Sequence, residues 1–248
     1  MKEIQIRKND AGQRLDRFVG KAVPLLPESL LQKYIRLKRI KRNGKGAKRD
    51  VRLVEGDVLQ LYINDEFFER PTEENAWLKI ATPRLDIVYE DENILLADKK
   101  PGVLCHSAGE WSWDTLISNI QAYLRQSGEW DPKAENAFTP ALCNRIDRNT
   151  GGIVIAAKNA EALRILNDKI RDREIDKAYL CVVCGRPKPA EGRLEGYLFK
   201  DAVKNQVYVT KKPQPGAKSA ATEYRTLQSS RGLSLVECRL LTGRTHQI

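Results

Sequence analysis

The stretch that decides the fold is "NRIDRNTGGIVIAAKN", residues 144–159. It places a carboxylate, Asp147, between two arginines and directly before a Thr-Gly-Gly turn. The apolar run at 153–157 has the length and composition of a buried strand. Turns at strand ends often hold reactive groups, but charges there also form ordinary surface ion pairs. The stretch therefore predicts a buried strand that follows a polar turn, in which Asp147 is either a reactive group or an ion-pair partner.

The same Arg-x-Asp-Arg pattern occurs a second time, as "RLDR" at residues 14–17. The apolar residues of this segment recur at the spacing of one face of an amphipathic helix: they are Leu15, Phe18, Val19 and Ala22. Leu15 thus belongs to a helix core, and Asp16 lies off the apolar face. We therefore expect no catalytic role for Asp16.

The formal charge of +10 is concentrated in the N-terminal part of the chain. Residues 1–63 contain 16 Lys and Arg against 7 Asp and Glu, a net charge of +9, whereas the other 185 residues carry a net charge of +1. Residues 33–52 alone hold ten basic side chains and one acid, Asp50. This distribution favours a polyanion as the partner of the basic block, with a solvated basic surface as the alternative.

Residues 1–65 predict a compact N-terminal domain. Pro27-Glu28-Ser29 is a helix start, and Asn43-Gly44 is typical of a hairpin turn. Beyond the hairpin, alternating apolar residues predict a half-buried strand: Leu59, Leu61 and Ile63. Residues 66–83 are acidic, contain prolines and show no sustained period, so they predict a linker.

Residues 84–248 predict a larger domain of mixed helices and strands. "LDIVYEDENILLADKK" (85–100) predicts two short strands around an acidic turn, and Asn159 can cap a helix. "KAYLCVVCG" (177–185) predicts a buried strand. Further strand-like runs lie at 206–210, 222–228 and 233–241. Strands outnumber helices and the connections are short, so the predicted fold class is α+β with a mixed, largely antiparallel sheet.

The composition disfavours several classes of protein and of site. The first residues do not begin a signal peptide, and no apolar run approaches the roughly 20 residues of a membrane span. Five cysteines in a chain of 248 residues suit free thiols in a reducing cytoplasm. Cys181 and Cys184 lie inside a strand pattern with no second pair at zinc spacing, so core thiols are expected rather than metal ligands. No phosphate-binding glycine motif occurs, so no nucleotide cofactor is expected.

Residues 12–65 resemble the S4 RNA-binding domain. The resemblance rests on three segments in this order: "RLDRFV", "LLQKYIRLKRIKRNGK" and "LVEGDVLQLYI". It implies that the basic block attracts RNA phosphates without reading sequence. The side chains expected to contact RNA are Lys33, Arg36, Lys38, Arg39, Lys41, Arg42 and Lys45.

Residues 84–248 resemble the RluA-type pseudouridine synthases. The stretch around Asp147 is similar to their signature, His-Arg-Leu-Asp-Arg-x-Thr-Ser-Gly. Three further segments agree in order: "IVYEDENILLADKKPGVLCH", "DKAYLCVVCG" and "LLTGRTHQI". The chain departs from the signature at Asn144, Ile146 and Gly151. None of these departures removes an acid or a base, and the role of Asn144 stays open.

This resemblance implies an enzyme that converts uridine in RNA to pseudouridine without a cofactor. Asp147 is then the essential carboxylate, which either adds to C1′ of the ribose or removes a sugar proton to give a glycal. Arg244 is implied as its basic partner. Tyr179 is implied to pack on the uracil and to assist loss of the C5 proton. From the residues alone, a structural ion pair for Arg244 and a strand-core position for Tyr179 are the alternatives.

The implied substrate is large-subunit ribosomal RNA, because an S4-like domain is attached, and transfer RNA is the nearest variant. The target base must leave its stack, and the resemblance gives Arg145 the position that fills the vacated space or contacts the flipped nucleotide. Arg148 is expected to contact RNA as well. The alternative from another class is a noncatalytic RNA-binding or ribosome-assembly protein with the same fold.

The expected protein is a cytoplasmic monomer with no metal and no membrane partner. Its predicted parts are an S4-like domain at 1–65, a linker at 66–83 and a catalytic domain at 84–248. The resemblance stops at Ile248, whereas the family continues into a further strand. We therefore expect a C-terminal part of the catalytic domain to be missing, and a destabilised or less active chain as the consequence.

Overall fold

The computed structural model describes residues 1–23, 26–68, 77, 80–107, 114–201 and 206–248. These residues form two compact units, Met1–Asn167 and Asp168–Ile248. The predicted N-terminal domain and the first half of the predicted catalytic domain both lie in the first unit. The domain limits at 65 and 84 stay a prediction.

The N-terminal module, residues 1–63, combines two helices with a four-stranded sheet. Its helices are α1 (Leu15–Ala22) and α2 (Glu28–Arg36), and its strands are β1 (Lys2–Gln5), β2 (Ile40–Arg42), β3 (Lys45–Gly46) and β4 (Val58–Leu61). The strand order is β1-β4-β2-β3, and each pair is antiparallel. Asn43 and Gly44 have positive φ angles of 51° and 79°, which confirms the predicted hairpin turn. Strand β1 was not predicted from the sequence.

The core of the module lies between its helices and one face of its sheet. The residues with the right period are buried: Leu15, Phe18 and Val19 of α1, Leu31 and Ile35 of α2, and Ile40, Leu59 and Leu61 of the sheet. Burying an apolar side chain of this size contributes about 1.5–3 kcal/mol. The two helical periods and the strand alternation were therefore correct.

The rest of the first unit contains a second four-stranded antiparallel sheet. Its strands are β5 (Ile87–Glu90), β6 (Ile94–Lys99), β7 (Ala141–Leu142) and β8 (Gly152–Ala157), in the order β5-β6-β8-β7. Lys99 at the end of β6 pairs with Gly152 at the start of β8. Because the strands are antiparallel, the loop after β6 and the loop that carries Asp147 emerge at the same end of the sheet.

Two helices accompany this sheet, α3 (Leu116–Gln126) and α4 (Ala160–Arg171). The Asn159 side chain accepts a hydrogen bond from the Ala162 amide N–H at 2.9 Å, so the predicted helix cap is confirmed. Helix α3 was missed, although the sequence carried two signals for it. The Thr115 hydroxyl caps its first turn, and its buried residues recur at helical spacing: Leu116, Ile120 and Leu124.

The second unit is built on a five-stranded antiparallel sheet. Its strands are β9 (Ala178–Cys184), β10 (Glu191–Asp201), β11 (Gln206–Thr210), β12 (Lys218–Ser230) and β13 (Leu233–Leu240), in the order β11-β10-β12-β13-β9. The strands predicted at 177–185, 206–210, 222–228 and 233–241 are all present, but β9 is not the buried strand that was predicted, because its residues alternate between exposed and half-buried. Among the described residues, the strands of the predicted catalytic domain thus pair in two separate sheets.

The predicted linker is described only in part. Residues Asp65–Phe68 form a short 3-10 turn, whereas residues 69–76, 78 and 79 lie outside the described residues. No helix in the described ranges is long and apolar enough to span a membrane.

Candidate active site

The loop at 143–151, which carries Asp147, is held by hydrogen bonds to the residues on both sides of Asp147. The carbonyl of Ile146 accepts a hydrogen bond from the Cys105 thiol at 3.3 Å. The carbonyl of Arg148 accepts one from the Gly102 amide at 2.8 Å. The amide of Thr150 donates to the carbonyl of Asp147 itself at 3.1 Å, which closes a turn. The backbone of the loop is therefore fixed at the position from which the Asp147 side chain projects.

A buried lysine, Lys99, completes this anchoring. Its side chain lies on the buried face of β6, and the residue is only 1% exposed. Its ammonium donates to three backbone carbonyls: those of Lys100 at 3.1 Å, Val103 at 2.9 Å and Arg148 at 3.0 Å. A single cation thus ties the loop after β6 to the loop that carries Asp147.

Lys99 also sets the electrostatics of the site. Burial lowers the pKa of its ammonium, and the neighbouring Asp147 carboxylate opposes this shift. The lysine therefore places a positive charge near Asp147. The sequence analysis did not single out Lys99, although its alternation with Leu95 and Ala97 on β6 placed it on the buried face.

The Asp147 carboxylate is half-buried, and it has no hydrogen-bond or ion-pair partner in the described part of its own unit. Its backbone is fixed, while its side-chain oxygens have no partner among those residues. An anchored carboxylate with spare acceptor capacity can act on a ligand, whereas one neutralised by local partners is a structural element.

The structure answers the question left open at Asn144. Its side-chain oxygen accepts a hydrogen bond from the Ile155 amide at 2.8 Å, and its amide group donates to the carbonyl of Ile153 at 3.4 Å. Asn144 therefore fixes the start of the loop to the backbone of β8. It is a structural residue of the site.

The two glycines after Asp147 serve the close packing of the loop. A Cβ atom on Gly151 would lie 3.2 Å from Cδ of Pro101, so the loop approaches the loop after β6 closely. Gly152 has a φ of +129°, a conformation that other residues rarely adopt. Glycine at these two positions thus lets the two loops pack together.

Arg145 and Arg148 flank Asp147 and are both exposed. Arg148 donates from Nε to the carbonyl of Gly102 at 3.1 Å, so part of its guanidinium serves the loop contact. Burial lowers the pKa of His106, and the Arg145 cation lowers it further. His106 therefore lies near Arg145, a neighbour that was not predicted from the sequence.

Tyr179 and Arg244 belong to the second unit. Tyr179 is a half-buried residue of β9 that pairs with Cys238 of β13. Arg244 lies in the turn after β13, where its Nε donates to the carbonyl of Ser219 at 2.9 Å.

The Cys181 thiol lies 3.7 Å from that of Cys238, and Cys184 is exposed rather than in the core.

Gln247 anchors the turn that carries Arg244. Its side-chain oxygen accepts from the Arg244 amide at 3.0 Å and from the Thr242 hydroxyl at 2.9 Å. Its amide nitrogen donates to the carbonyl of Ala221 at 3.0 Å. The turn is therefore fixed to β12. This role of Gln247 was not predicted from the sequence.

A cleft of about 240 Å³ in the second unit lies beside this turn. Five of its lining residues are cationic: Arg171, Arg173, Lys177, Arg239 and Arg244. Asp176 is an acidic residue of the same lining. The excess of positive charge suits a phosphate-bearing ligand.

The basic side chains predicted in the N-terminal module are mostly exposed. Lys33, Arg36, Lys38, Arg39 and Lys45 are accessible, and Lys41 is half-buried. The guanidinium of Arg39 lies over the ring of Tyr34 at 5.2 Å, and the Lys41 ammonium lies over the ring of Tyr62 at 5.1 Å. These side chains are available to a polyanion.

Arg42 differs from the other basic residues of the module. Its Nε lies 2.7 Å from the carboxylate of Asp57, which is 6% exposed. Burial alone would raise the pKa of Asp57, but Arg42, the Val54 amide and Asn43 together hold it below its usual range. The structure thus gives Arg42 a partner within the module, which the sequence analysis did not foresee.

No group of three or more potential metal ligands, among His, Cys, Asp and Glu, occurs within the described ranges. The contacts of the described site residues are hydrogen bonds and charges supplied by the chain itself.

The chain is similar to known proteins along nearly its whole length. Residues 93–248 match the family model described as RNA pseudouridylate synthase. An RNA pseudouridine synthase of Mycoplasma genitalium, named as uncharacterized, is 32% identical over 247 residues, which cover 98% of this chain and 75% of that protein. Ribosomal large subunit pseudouridine synthase C of Vibrio parahaemolyticus is 28% identical, with 99% of this chain and 74% of that protein covered.

The fold is similar to that of a solved structure, human RNA pseudouridylate synthase domain containing 4. The two share 20% sequence identity with a TM-score of 0.51. The aligned part covers 65% of this chain and 60% of the human one, less than two thirds of its length. At this identity the likeness concerns the fold alone.

Proposed function

The chain belongs to the RNA pseudouridylate synthase family and is an RNA-modifying enzyme, and we propose that Asp147 is the carboxylate with which it converts uridine to pseudouridine. The observation that carries this assignment is the anchoring of the loop at Ile146 and Arg148, which holds Asp147 in place while its carboxylate has no partner in the described part of its unit. An active site needs groups that are already held in position and can still interact with the substrate.

The proposed reaction is an isomerisation with balanced atoms. The bond from N1 of uracil to C1′ breaks, the base rotates, and a bond from C5 to C1′ forms while the C5 proton is lost and N1 gains a proton. Asp147 acts either by adding to C1′ or by removing a sugar proton to give a glycal, and both routes need the ionised carboxylate.

Tyr179 and Arg244 take the roles that the family resemblance implies for them. Arg244 is the basic partner of the carboxylate, and Gln247 positions the turn that carries it. Tyr179 contacts the uracil. His106, Arg145 and the free part of Arg148 contact the nucleotide or its neighbours.

The test of the catalytic assignment is tritium release from C5-labelled uridine in ribosomal RNA. The Asp147→Asn variant keeps the size of the side chain but removes the carboxylate, so release should fall to background while RNA affinity stays within about tenfold. Turnover above background by this variant would remove Asp147 from the mechanism.

We further propose that large-subunit ribosomal RNA is the substrate and that the N-terminal module is an S4-like RNA-binding domain. The relative from Vibrio parahaemolyticus is named for the ribosomal large subunit. The module adds a net charge of +9 and an exposed row of cations, from which Arg42 is now left out because Asp57 neutralises it. Transfer RNA is the competing substrate in the same assay.

Salt dependence tests the role of the module. Replacing Lys33, Arg36 and Lys38 by Gln should weaken RNA binding and reduce the slope of log affinity against log salt by about 2–3. A variant that removes the paired cation, Arg42→Gln, should change this slope by less than about 1. Equal slopes for the wild type and the triple variant would show that this face does not contact phosphates.

A further inference from the structure

The loop at residues 7–12 of the N-terminal module contacts the part of the first unit that carries Asp147. The amide of Asn9 donates to the carboxylate of Glu135 at 2.9 Å. The amide of Asn136 donates to the carboxylate of Asp10 at 2.9 Å and to the carbonyl of Gln5 at 3.0 Å. The Arg7 guanidinium donates to the carbonyl of Ala134. We call residues 7–12 together with 134–136, Ala160 and Arg164 the joint.

Helix α4 supplies the other half of the joint. The Ala160 amide at its N-terminal end donates to the side-chain oxygen of Asn9 at 3.3 Å. One turn later, Nη1 of Arg164 donates to the carbonyl of Ala11 at 2.6 Å. A Cβ atom on Gly12 would lie 3.3 Å from Cζ of Arg164, so the two surfaces are in close contact. Asn9 thus bonds both to the segment at 134–136 and to the start of α4.

The joint is partly buried, and it is fixed on its module side as well. Asp10 is 0% exposed, and it accepts a hydrogen bond from the Arg7 amide at 2.9 Å. The Gly12 amide donates to the carbonyl of Leu53 at 2.7 Å. Burial raises the pKa of Glu135 above its usual value. Ala137 packs against the hydrophobic core of the module. A flexibly attached domain would not share buried polar contacts and a core in this way.

The position of the joint along the chain connects it to the active-site loop. Residues 134–136 lie just before β7, and Ala160 begins the helix that follows β8. The Asp147 loop is the connection between β7 and β8. The module therefore bonds to the segment that enters this strand pair and to the segment that leaves it.

We propose that the joint holds the RNA-binding face of the module at a fixed position relative to Asp147, so that the module selects which uridine is modified. This inference rests on the proposed function of both regions. A flexible tether only raises the local concentration of RNA and affects affinity. A rigid joint also restricts which nucleotide of the bound RNA reaches Asp147, and this restriction persists when RNA is saturating. Asn9, Asn136 and Arg164 are then positioning residues.

The test is the double variant Asn9→Asp, Arg164→Met in the full chain. A carboxylate at residue 9 is repelled by Asp10 and Glu135, and Met removes the donor to Ala11. The matched control is Asn167→Asp, Arg125→Met, which makes the same two chemical changes at exposed positions of the first unit that form none of the hydrogen bonds of the joint. Each protein is measured for RNA affinity, for amide hydrogen exchange, and for pseudouridine at every uridine of ribosomal RNA at saturating RNA.

The expected result for the double variant is exchange at least tenfold faster in residues 7–12 and 160–163. RNA affinity should stay within about threefold, whereas the preference for the main target uridine over other uridines should fall about tenfold. The control should match the wild type in all three measurements.

Three results would overturn the proposal. Unchanged exchange would show that these bonds do not hold the joint. Faster exchange with unchanged site preference would show that the joint does not govern selection, as would a loss of affinity alone. If the wild type forms no pseudouridine, the proposed function fails instead, and the hydrogen-exchange arm still decides whether the joint exists.

Discussion

Two segments of this chain share the pattern Arg-x-Asp-Arg, and the structure gives their aspartates opposite environments. Asp16 lies in the first turn of α1 and is bonded within its own segment: Arg14 donates from Nε at 3.1 Å and from Nη2 at 2.5 Å, and the Arg17 amide donates at 2.8 Å. Burial alone would raise the pKa of Asp16, but these donors hold it below its usual range. Asp147 lies in a loop, and its flanking carbonyls take the bonds instead.

The comparison shows that a motif of four letters does not specify a function. At the start of α1, the N-cap residue Arg14 reaches the carboxylate of Asp16 two residues later and neutralises it. In the loop at 143–151, the backbone is bonded to Cys105, Gly102 and Lys99, which leaves the carboxylate for a ligand. The anchors are therefore what distinguish a candidate catalytic aspartate from a structural one.

The strongest test of this contrast is to exchange aspartate for asparagine in both segments. Asp147→Asn should lower turnover by at least about 10³-fold with an unchanged melting temperature, because only the reacting carboxylate is lost. Asp16→Asn should keep full turnover and lose about 1 kcal/mol of stability, because an ion pair and a charged hydrogen bond are lost. Tritium release measures turnover, and thermal unfolding measures stability. Lost turnover in Asp16→Asn with full turnover in Asp147→Asn would contradict the assignment of the two aspartates.

The anchoring of the Asp147 loop is tested through its buried lysine. Lys99→Met keeps the volume but removes the donor to three carbonyls, so turnover should fall about 10- to 100-fold with RNA affinity kept. The matched control is Lys100→Met, because the Lys100 ammonium pairs with Asp86 and Asp98 at an exposed position. Equal turnover of the two variants would mean that Lys99 does not position the loop.

The arginines of the two segments should also differ. Arg145→Gln should lower turnover at limiting RNA about tenfold by loss of a nucleotide contact, whereas Arg17→Gln should change it by less than about threefold. The same variant provides a spectroscopic check. Burial and the Arg145 cation lower the pKa of His106, so removing the cation should raise this pKa towards the ordinary value. The chain has two histidines, so His246 is the internal control in a proton NMR titration.

The smallest expected effect is the acid dependence of the structural aspartate. The pKa of Asp16 is lower in the folded chain than in the unfolded one, so its contribution to stability is present above about pH 4 and is lost as the pH falls through the folded-state value. The wild type should exceed Asp16→Asn in unfolding free energy by about 1 kcal/mol at pH 6, with the gap closing in acid. A gap that stays constant down to pH 2.5 would contradict the ion-pair origin.

The comparison also shows which parts of the site the sequence made predictable. Leu15, Phe18 and Val19 recur at a helical period, so the position of Asp16 off the apolar face followed from local spacing. The strands at 152–157 and 178–184 could also be predicted from the local sequence, because each is a continuous or alternating apolar run. Helix α3 was missed although Thr115, Leu116 and Ile120 carried its signal, and β1 was missed because a strand of four mostly exposed residues has little pattern to read.

The sequence by itself determined α1, α2, α4, the hairpin and most of the strands, and its resemblance to a family singled out the candidate carboxylate. These features depend on residues within a few positions of one another. The tertiary structure decided that Lys99 anchors the Asp147 loop, that Arg42 is paired with Asp57, and that residues 7–12 bond to 134–136. Such contacts join residues 15 to more than 100 positions apart, and no local period encodes them, because they form only when the packing of the sheets brings distant loops together.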